Sequence, residues 1–115
     1  MKLNYVEQSA AEPSREDSDG KPAAILMHGM FGSLSNLGNL ARELSAEYRV
    51  IAVDLRNHGD SPHEDLMTIS LMAGDIIELM DDLGLPEAHL IGHSLGGKIA
   101  MQIAQTWPDR VRSLV

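Results

Sequence analysis

Three short runs in this chain are apolar at consecutive positions, and each leads through a turn into residues at helical spacing. They are Ala23-Ala24-Ile25-Leu26-Met27, Val50-Ile51-Ala52-Val53 and Leu90-Ile91. A strand wetted on one face alternates in polarity; runs this uniform read as strands covered on both faces. After the first run, Leu37, Leu40, Ala41, Leu44 and Tyr48 recur at helical spacing. Ile69, Met72, Ala73, Ile76, Ile77, Met80 and Leu83 form a second stripe, closed by Gly84 and Pro86. A third helix is expected from Leu95 to Gln105, ending before Trp107-Pro108. Such alternation predicts an α/β fold: a mostly parallel sheet with helices on both faces. Leu3 and Tyr5 alternate like a half-buried strand ahead of it, and Val111 to Val115 begins another apolar strand. The segment from Ala11 to Pro22 carries Pro13, Asp19-Gly20 and several charges, and reads as an exposed loop.

A chain of 115 residues, 43% apolar, can build one modest domain with its own core. The net charge of −8 argues against nucleic acid, whose phosphates require a basic face, and disfavours anionic membrane surfaces. No stretch approaches the roughly 18 continuous apolar residues of a membrane span. The N-terminal Met1-Lys2-Leu3-Asn4-Tyr5 lacks the apolar core of a signal peptide, which makes the cytoplasm the expected location. There is no cysteine, so thiolate chemistry is excluded. The final apolar strand would leave one sheet edge uncovered. Residues 1–115 are therefore expected to be an incomplete domain, the N-terminal part of a longer polypeptide.

The chemistry is concentrated in Gly92-His93-Ser94-Leu95-Gly96-Gly97, a G-x-S-x-G pattern between an expected strand and an expected helix. A serine on so tight a turn has its hydroxyl pushed out beyond the end of the sheet, and small residues on either side let the backbone turn. Residues 92–97 thus read as a nucleophile elbow with Ser94 as the nucleophile. A serine hydroxyl also needs a histidine base, an acid that orients the base, and donors for the developing oxyanion. His28-Gly29-Met30-Phe31-Gly32-Ser33 follows the first buried strand. Loops after neighbouring strands of an open α/β sheet meet at a switch point. The amides of Met30 and Leu95 are therefore the expected oxyanion donors, Leu95 having the added advantage of a helix start. The base and acid are expected downstream: after Ser94 come only one carboxylate, Asp109, and no histidine.

Three segments, His28 to Ser33 with Asn36-Leu37, Asp54-Leu-Arg-Asn-His-Gly-Asp-Ser-Pro62, and Gly92 to Lys98, stand in an order that resembles the YbfF-type acyl esterases of the α/β-hydrolase fold. The resemblance runs from about residue 2 to the end and covers only the N-terminal part of that fold. It implies Ser94 as nucleophile, the Met30 and Leu95 amides as oxyanion hole, and a downstream acid, histidine and helical lid. The substrate would be a small carboxylic ester or thioester; neither metal nor other cofactor is implied. A serine at the elbow argues against the dehalogenase and epoxide-hydrolase branches, which carry aspartate there.

Other patterns compete with this reading. Gly92 to Lys98 also fits G-x-x-x-x-G-K, a phosphate loop, but Ile99 stands where that motif needs Ser or Thr for magnesium. His58, His63, Glu64 and Asp65 cluster loosely around Pro62, and a structural role for Asn57-His58-Gly59 is favoured over a metal site. His28 is expected to brace its loop by hydrogen bonds, and His93, adjacent to the nucleophile in a sharp turn, to point elsewhere. Asp75, Glu78, Asp81 and Asp82 read as a solvated helix face, Lys98 as a solvated or locally paired residue, and Met67, Met72, Met80 and Met101 as core filling. The alternative function is a non-catalytic α/β binding domain or an inactive truncated remnant.

Overall fold

The computed structural model describes residues 1–8 and 21–115. The expected loop at 11–22 thus lies outside the described residues except for Lys21 and Pro22, which are half-buried. Among the described residues, the strands are β1 (Tyr5–Gln8), β2 (Ala23–Met27), β3 (Arg49–Val53), β4 (Ala88–Gly92) and β5 (Val111–Leu114). The helices are α1 (Gly38–Leu44), α2 (Ile69–Asp82) and α3 (Leu95–Thr106), with short 3-10 turns at Leu34–Leu37 and Pro108–Arg110. The strands lie in the order β1-β3-β2-β4-β5. β1 is antiparallel to β3, and every other pairing is parallel.

Alternate residues of each central strand enter opposite layers. Ile25, Met27, Ile51, Val53 and Leu90 pack under α2 and α3, against Met72, Ile76, Met80, Ile99 and Ile103. Ala24, Leu26, Val50 and Ala52 face the other way and are covered by Ala41, Leu34, Leu37 and Leu44. Helices on both faces explain why β2 and β3 carry no polar alternation.

The ends of α2 follow from side-chain and glycine chemistry. The Thr68 hydroxyl accepts from the Leu71 amide at 3.1 Å and caps the N-terminus. At the other end Gly84 adopts φ +69°, the Gly84 amide reaches the Asp81 carbonyl, and the Leu85 amide reaches that of Met80. That pair of bonds is a Schellman closure, and it turns the buried Leu85 back onto the core.

Three sequence expectations are corrected. α1 stops at Leu44, so Tyr48 follows the helix, on the turn into β3. Asp75 is not solvated: it is 4% exposed, because Arg56 reaches across from the loop after β3 and pairs with both of its oxygens at 2.9 Å. Glu78 is half-buried, while Asp81 and Asp82 are exposed as expected. Met101 is exposed rather than core; Met72 and Met80 are buried, and Met67 packs at the core margin. No described helix is long and apolar enough to cross a membrane.

Sheet order positions the site. From β2 the chain passes to β3 on one side, then returns past β2 to β4 on the other. β2 and β4 are neighbours whose outgoing connections leave to opposite faces. Such a divergence opens a crevice beyond the carboxyl ends of the strands.

Candidate active site

The turn between β4 and α3 is shaped by what cannot fit in it. A β-carbon on Gly92 would lie 2.4 Å from the Gly96 carbonyl carbon, and one on Gly96 would lie 2.2 Å from the Met27 carbonyl oxygen. Both glycines are therefore required for α3 to start this close to β4 and to the end of β2. The His93 amide donates to the Met27 carbonyl at 3.0 Å and fastens the turn to β2. Ser94 is left at φ +55°, ψ −107°, a strained backbone for a residue with a side chain. It is solvent-exposed, and its hydroxyl has no hydrogen-bond partner among the described residues.

The loop after β2 comes up beside it. A β-carbon on Gly29 would be 3.5 Å from that of Ser94 and 3.0 Å from the His93 ring. Gly29 to Gly32 is a tight turn closed by the Gly32 amide on the Gly29 carbonyl at 3.0 Å. Phe31 within it sits at φ +64° with its side chain 95% exposed, and Met30 is also exposed. The amides of Met30 and Leu95 have no acceptor among the described residues. The Met30 loop and the His93 side of the elbow border a cleft of 390 Å³. Met30 and His93 line this cleft; Ser94 and Leu95 do not, Ser94 lying exposed beside Gly29 and Leu95 buried at the start of α3.

The histidines divide clearly. His28 is buried, with Nδ1 2.7 Å from the Gly29 carbonyl and Nε2 accepting from the Leu55 amide at 3.0 Å. Burial holds its pKa below the usual histidine value, with His58 acting in the same direction against the Gly29 hydrogen bond and Asp54. His58 is also buried, its Nδ1 at 2.7 Å from the Arg56 carbonyl. His63 is exposed on the following loop, and His89 bonds Ser113 on the sheet. The His93 ring lies against Gly29. The loose cluster of His58, His63, Glu64 and Asp65 does not converge: His58 faces inward while the other three are exposed.

Sequence reasoning missed the brace beneath this crevice. Asp54, at the end of β3, is buried and accepts from the amides of Leu34 and Asp60 and from the Asn4 side chain at 2.8 to 2.9 Å. Burial would raise its pKa; these three donors outweigh it and hold the carboxyl below the usual value. A β-carbon on Gly59, at φ +50°, would land 2.3 Å from the Asp54 carboxyl carbon. The Asp54-x-x-x-x-Gly59 spacing, with glycine wrapping the loop over the carboxylate, is the signal that marks the brace.

Comparison with known proteins follows the same lines. Residues 22–115 match the alpha/beta hydrolase fold family. The chain is 41% identical to Esterase YbfF of Escherichia coli (strain K12) over 115 residues, which are all of this chain and 43% of that protein. It is 45% identical to the sn-1-specific diacylglycerol lipase ABHD11 of Mus musculus over 96 residues, 82% of this chain and 31% of that one. A solved marine microorganism esterase superimposes with a TM-score of 0.85 at 34% identity, over 96% of this chain and 39% of its own. The chain spans less than half the length of each of these relatives.

Proposed function

The chain belongs to the alpha/beta hydrolase fold family, and from that premise we propose that it carries the nucleophile and both oxyanion donors of a serine esterase. The observation that supports this most directly is the state of Ser94: strained, exposed, without a hydrogen-bond partner among the described residues, and set between glycines that no other residue can replace. A backbone conformation of this kind persists only where its surroundings impose it, and such residues cluster at active sites.

In the proposed reaction the Ser94 hydroxyl oxygen bonds to the carbonyl carbon of a carboxylic ester or thioester, and its proton passes to a histidine base. The carbonyl oxygen becomes an oxyanion held by the amides of Met30 and Leu95, the latter at the positive end of α3. Collapse expels the alcohol or thiol, which takes the proton from the base, and leaves an acyl group on Ser94. Water, deprotonated by the same base, adds to the acyl carbon; the bond to the Ser94 oxygen then breaks, that oxygen takes the proton back from the base, and the carboxylic acid leaves. The base is proposed to lie outside residues 1–115: His28 and His58 have ring nitrogens bonded to backbone groups, His89 is bonded to Ser113, and neither exposed histidine, His63 or His93, is hydrogen-bonded to Ser94 among the described residues. YbfF and ABHD11 are named as an esterase and a lipase, in keeping with an acyl substrate.

The test uses the complete reading frame. Ser94→Ala is expected to abolish nitrophenyl ester hydrolysis, and a fluorophosphonate probe to label the parent at Ser94. Wild-type turnover by Ser94→Ala would overturn the assignment. The second reading, a non-catalytic binding domain, is favoured by one feature: no histidine ring is hydrogen-bonded to the Ser94 hydroxyl among the described residues. Absence of labelling in the complete protein would select it.

A further inference from the structure

His28 borders the cleft but is 1% exposed, and its two ring nitrogens are committed in a way that bears on the adjacent backbone. An amide only donates, so the Leu55 amide at 3.0 Å requires Nε2 to be unprotonated. The neutral ring then carries its proton on Nδ1, where it donates to the Gly29 carbonyl at 2.7 Å. The same carbonyl accepts from the Gly32 amide at 3.0 Å. Two donors hold that oxygen.

The carbonyl of Gly29 and the amide N–H of Met30 belong to one peptide unit. A trans peptide is planar, and its C=O and N–H point in opposite directions; the described chain contains no cis peptide bond. Fixing the Gly29 oxygen therefore aims the Met30 N–H. The peptide needs this restraint, because glycine on one side leaves its plane free to rotate. Rotated by half a turn, it would present a carbonyl oxygen to the crevice in place of a donor and repel the oxyanion.

We propose that His28 is a positioning residue for the oxyanion hole: through the Gly29 carbonyl it sets the direction of the Met30 amide, and the Leu55 amide selects the tautomer that lets it do so. The inference rests on the esterase reading of Ser94. A hydrogen bond to the carbonyl end of a peptide also polarises its N–H, so the His28 ring, the 29–30 peptide and the oxyanion form one polarised chain. Leu55 follows Asp54, whose carboxylate holds the Leu34 amide. The loops after β2 and β3 are thereby locked together on either side of the ring.

The experiment compares three variants in the complete reading frame. His28→Ala is expected to lower kcat about 10- to 100-fold with KM little changed, since the lost interaction matters in the transition state. His28→Asn keeps a donor at the position of Nδ1 and is expected to recover part of that loss. Ser94→Ala separates the two failures. If Ser94→Ala is inactive while His28→Ala keeps wild-type kcat, the positioning role is overturned and the esterase stands. If Ser94→Ala is active, the esterase reading itself falls. A second measurement avoids dependence on how the variants fold: imidazole nitrogen NMR on the wild-type protein, before and after a fluorophosphonate reacts at Ser94. An Nδ1–H tautomer whose proton resonance moves on adduct formation is expected. An Nε2–H tautomer, or a resonance the adduct leaves in place, overturns the inference.

Discussion

Gly92 and Gly96 meet across the elbow so closely that a β-carbon on Gly92 would sit 2.4 Å from the carbonyl of Gly96. The obstruction is backbone, which no rotamer change relieves. Gly96 is confined on its other side as well, with the Met27 and His28 carbonyls within 2.8 Å of its absent β-carbon. Gly96→Ala is expected to cost at least about 3 kcal/mol of stability, the range reserved for named steric faults in a core. Gly74, in the middle of α2, has nothing within 4 Å of the same position. Gly74→Ala should stabilise by about 0.5–1 kcal/mol through helix propensity alone. Urea denaturation of the two variants checks both signs, and equal responses would refute the geometric distinction.

The Arg56–Asp75 pair offers a second contrast. Both side chains are largely buried, and the guanidinium also donates to the Leu66 carbonyl at 3.0 Å. Asp75 holds the Arg56 guanidinium above its usual pKa by hydrogen bond and charge, against the opposing effect of burial. Removing one partner leaves an uncompensated charge. Arg56→Met is expected to lose about 3 kcal/mol, whereas Arg56→Met with Asp75→Leu should lose less than Arg56→Met alone. A double variant less stable than the single one, in thermal unfolding, would contradict this account.

Asp75 also shows where the sequence runs out. The apolar stripe of α2 was legible because one helix carries its own period, and it correctly left Asp75 off the main seam. Burial of Asp75 depends on an arginine nineteen positions earlier in another loop, a relation with no local signature. β2 and β3 were readable as doubly covered strands from their composition alone. The elbow was readable because its glycines are demanded by contacts four residues apart. The Asp54 brace was hidden because its donors, Asn4, Leu34 and Asp60, come from three separate segments. Tyr48 kept helical spacing by coincidence, its position being set by the turn into β3.

Phe31 combines a left-handed backbone with a side chain that is 95% exposed. The strain of that conformation, about 1–2 kcal/mol for a residue with a β-carbon, is not offset by burial. Phe31→Gly removes the strain but adds chain entropy to the unfolded state, about 0.5–1 kcal/mol. The substitution is expected to be neutral to stabilising by up to about 1 kcal/mol, the reverse of the usual loss for deleting an aromatic ring. A loss above 2 kcal/mol in chemical denaturation would mean that the ring packs against something in solution.

Acidification is expected to weaken the fold through two buried groups. Asp54 is held below the ordinary carboxyl range, so its contribution is present above that range and is lost as pH falls through its lower folded value. His28 is held below the usual histidine value of about 6.5, so the unfolded chain takes up that proton first and stability falls as pH drops below it. An opposing effect exists: the chain carries a net charge of −8, and protonation relieves its self-repulsion. The two are separated by measuring urea midpoints from pH 8 to pH 3 for the parent and for Asp54→Asn. Charge relief acts on both proteins alike. The parent should be the more stable at neutral pH, and the gap should close as the Asp54 carboxyl is protonated. A gap that stays constant to pH 3 would show that the carboxylate charge adds nothing to the brace beneath the Met30 loop.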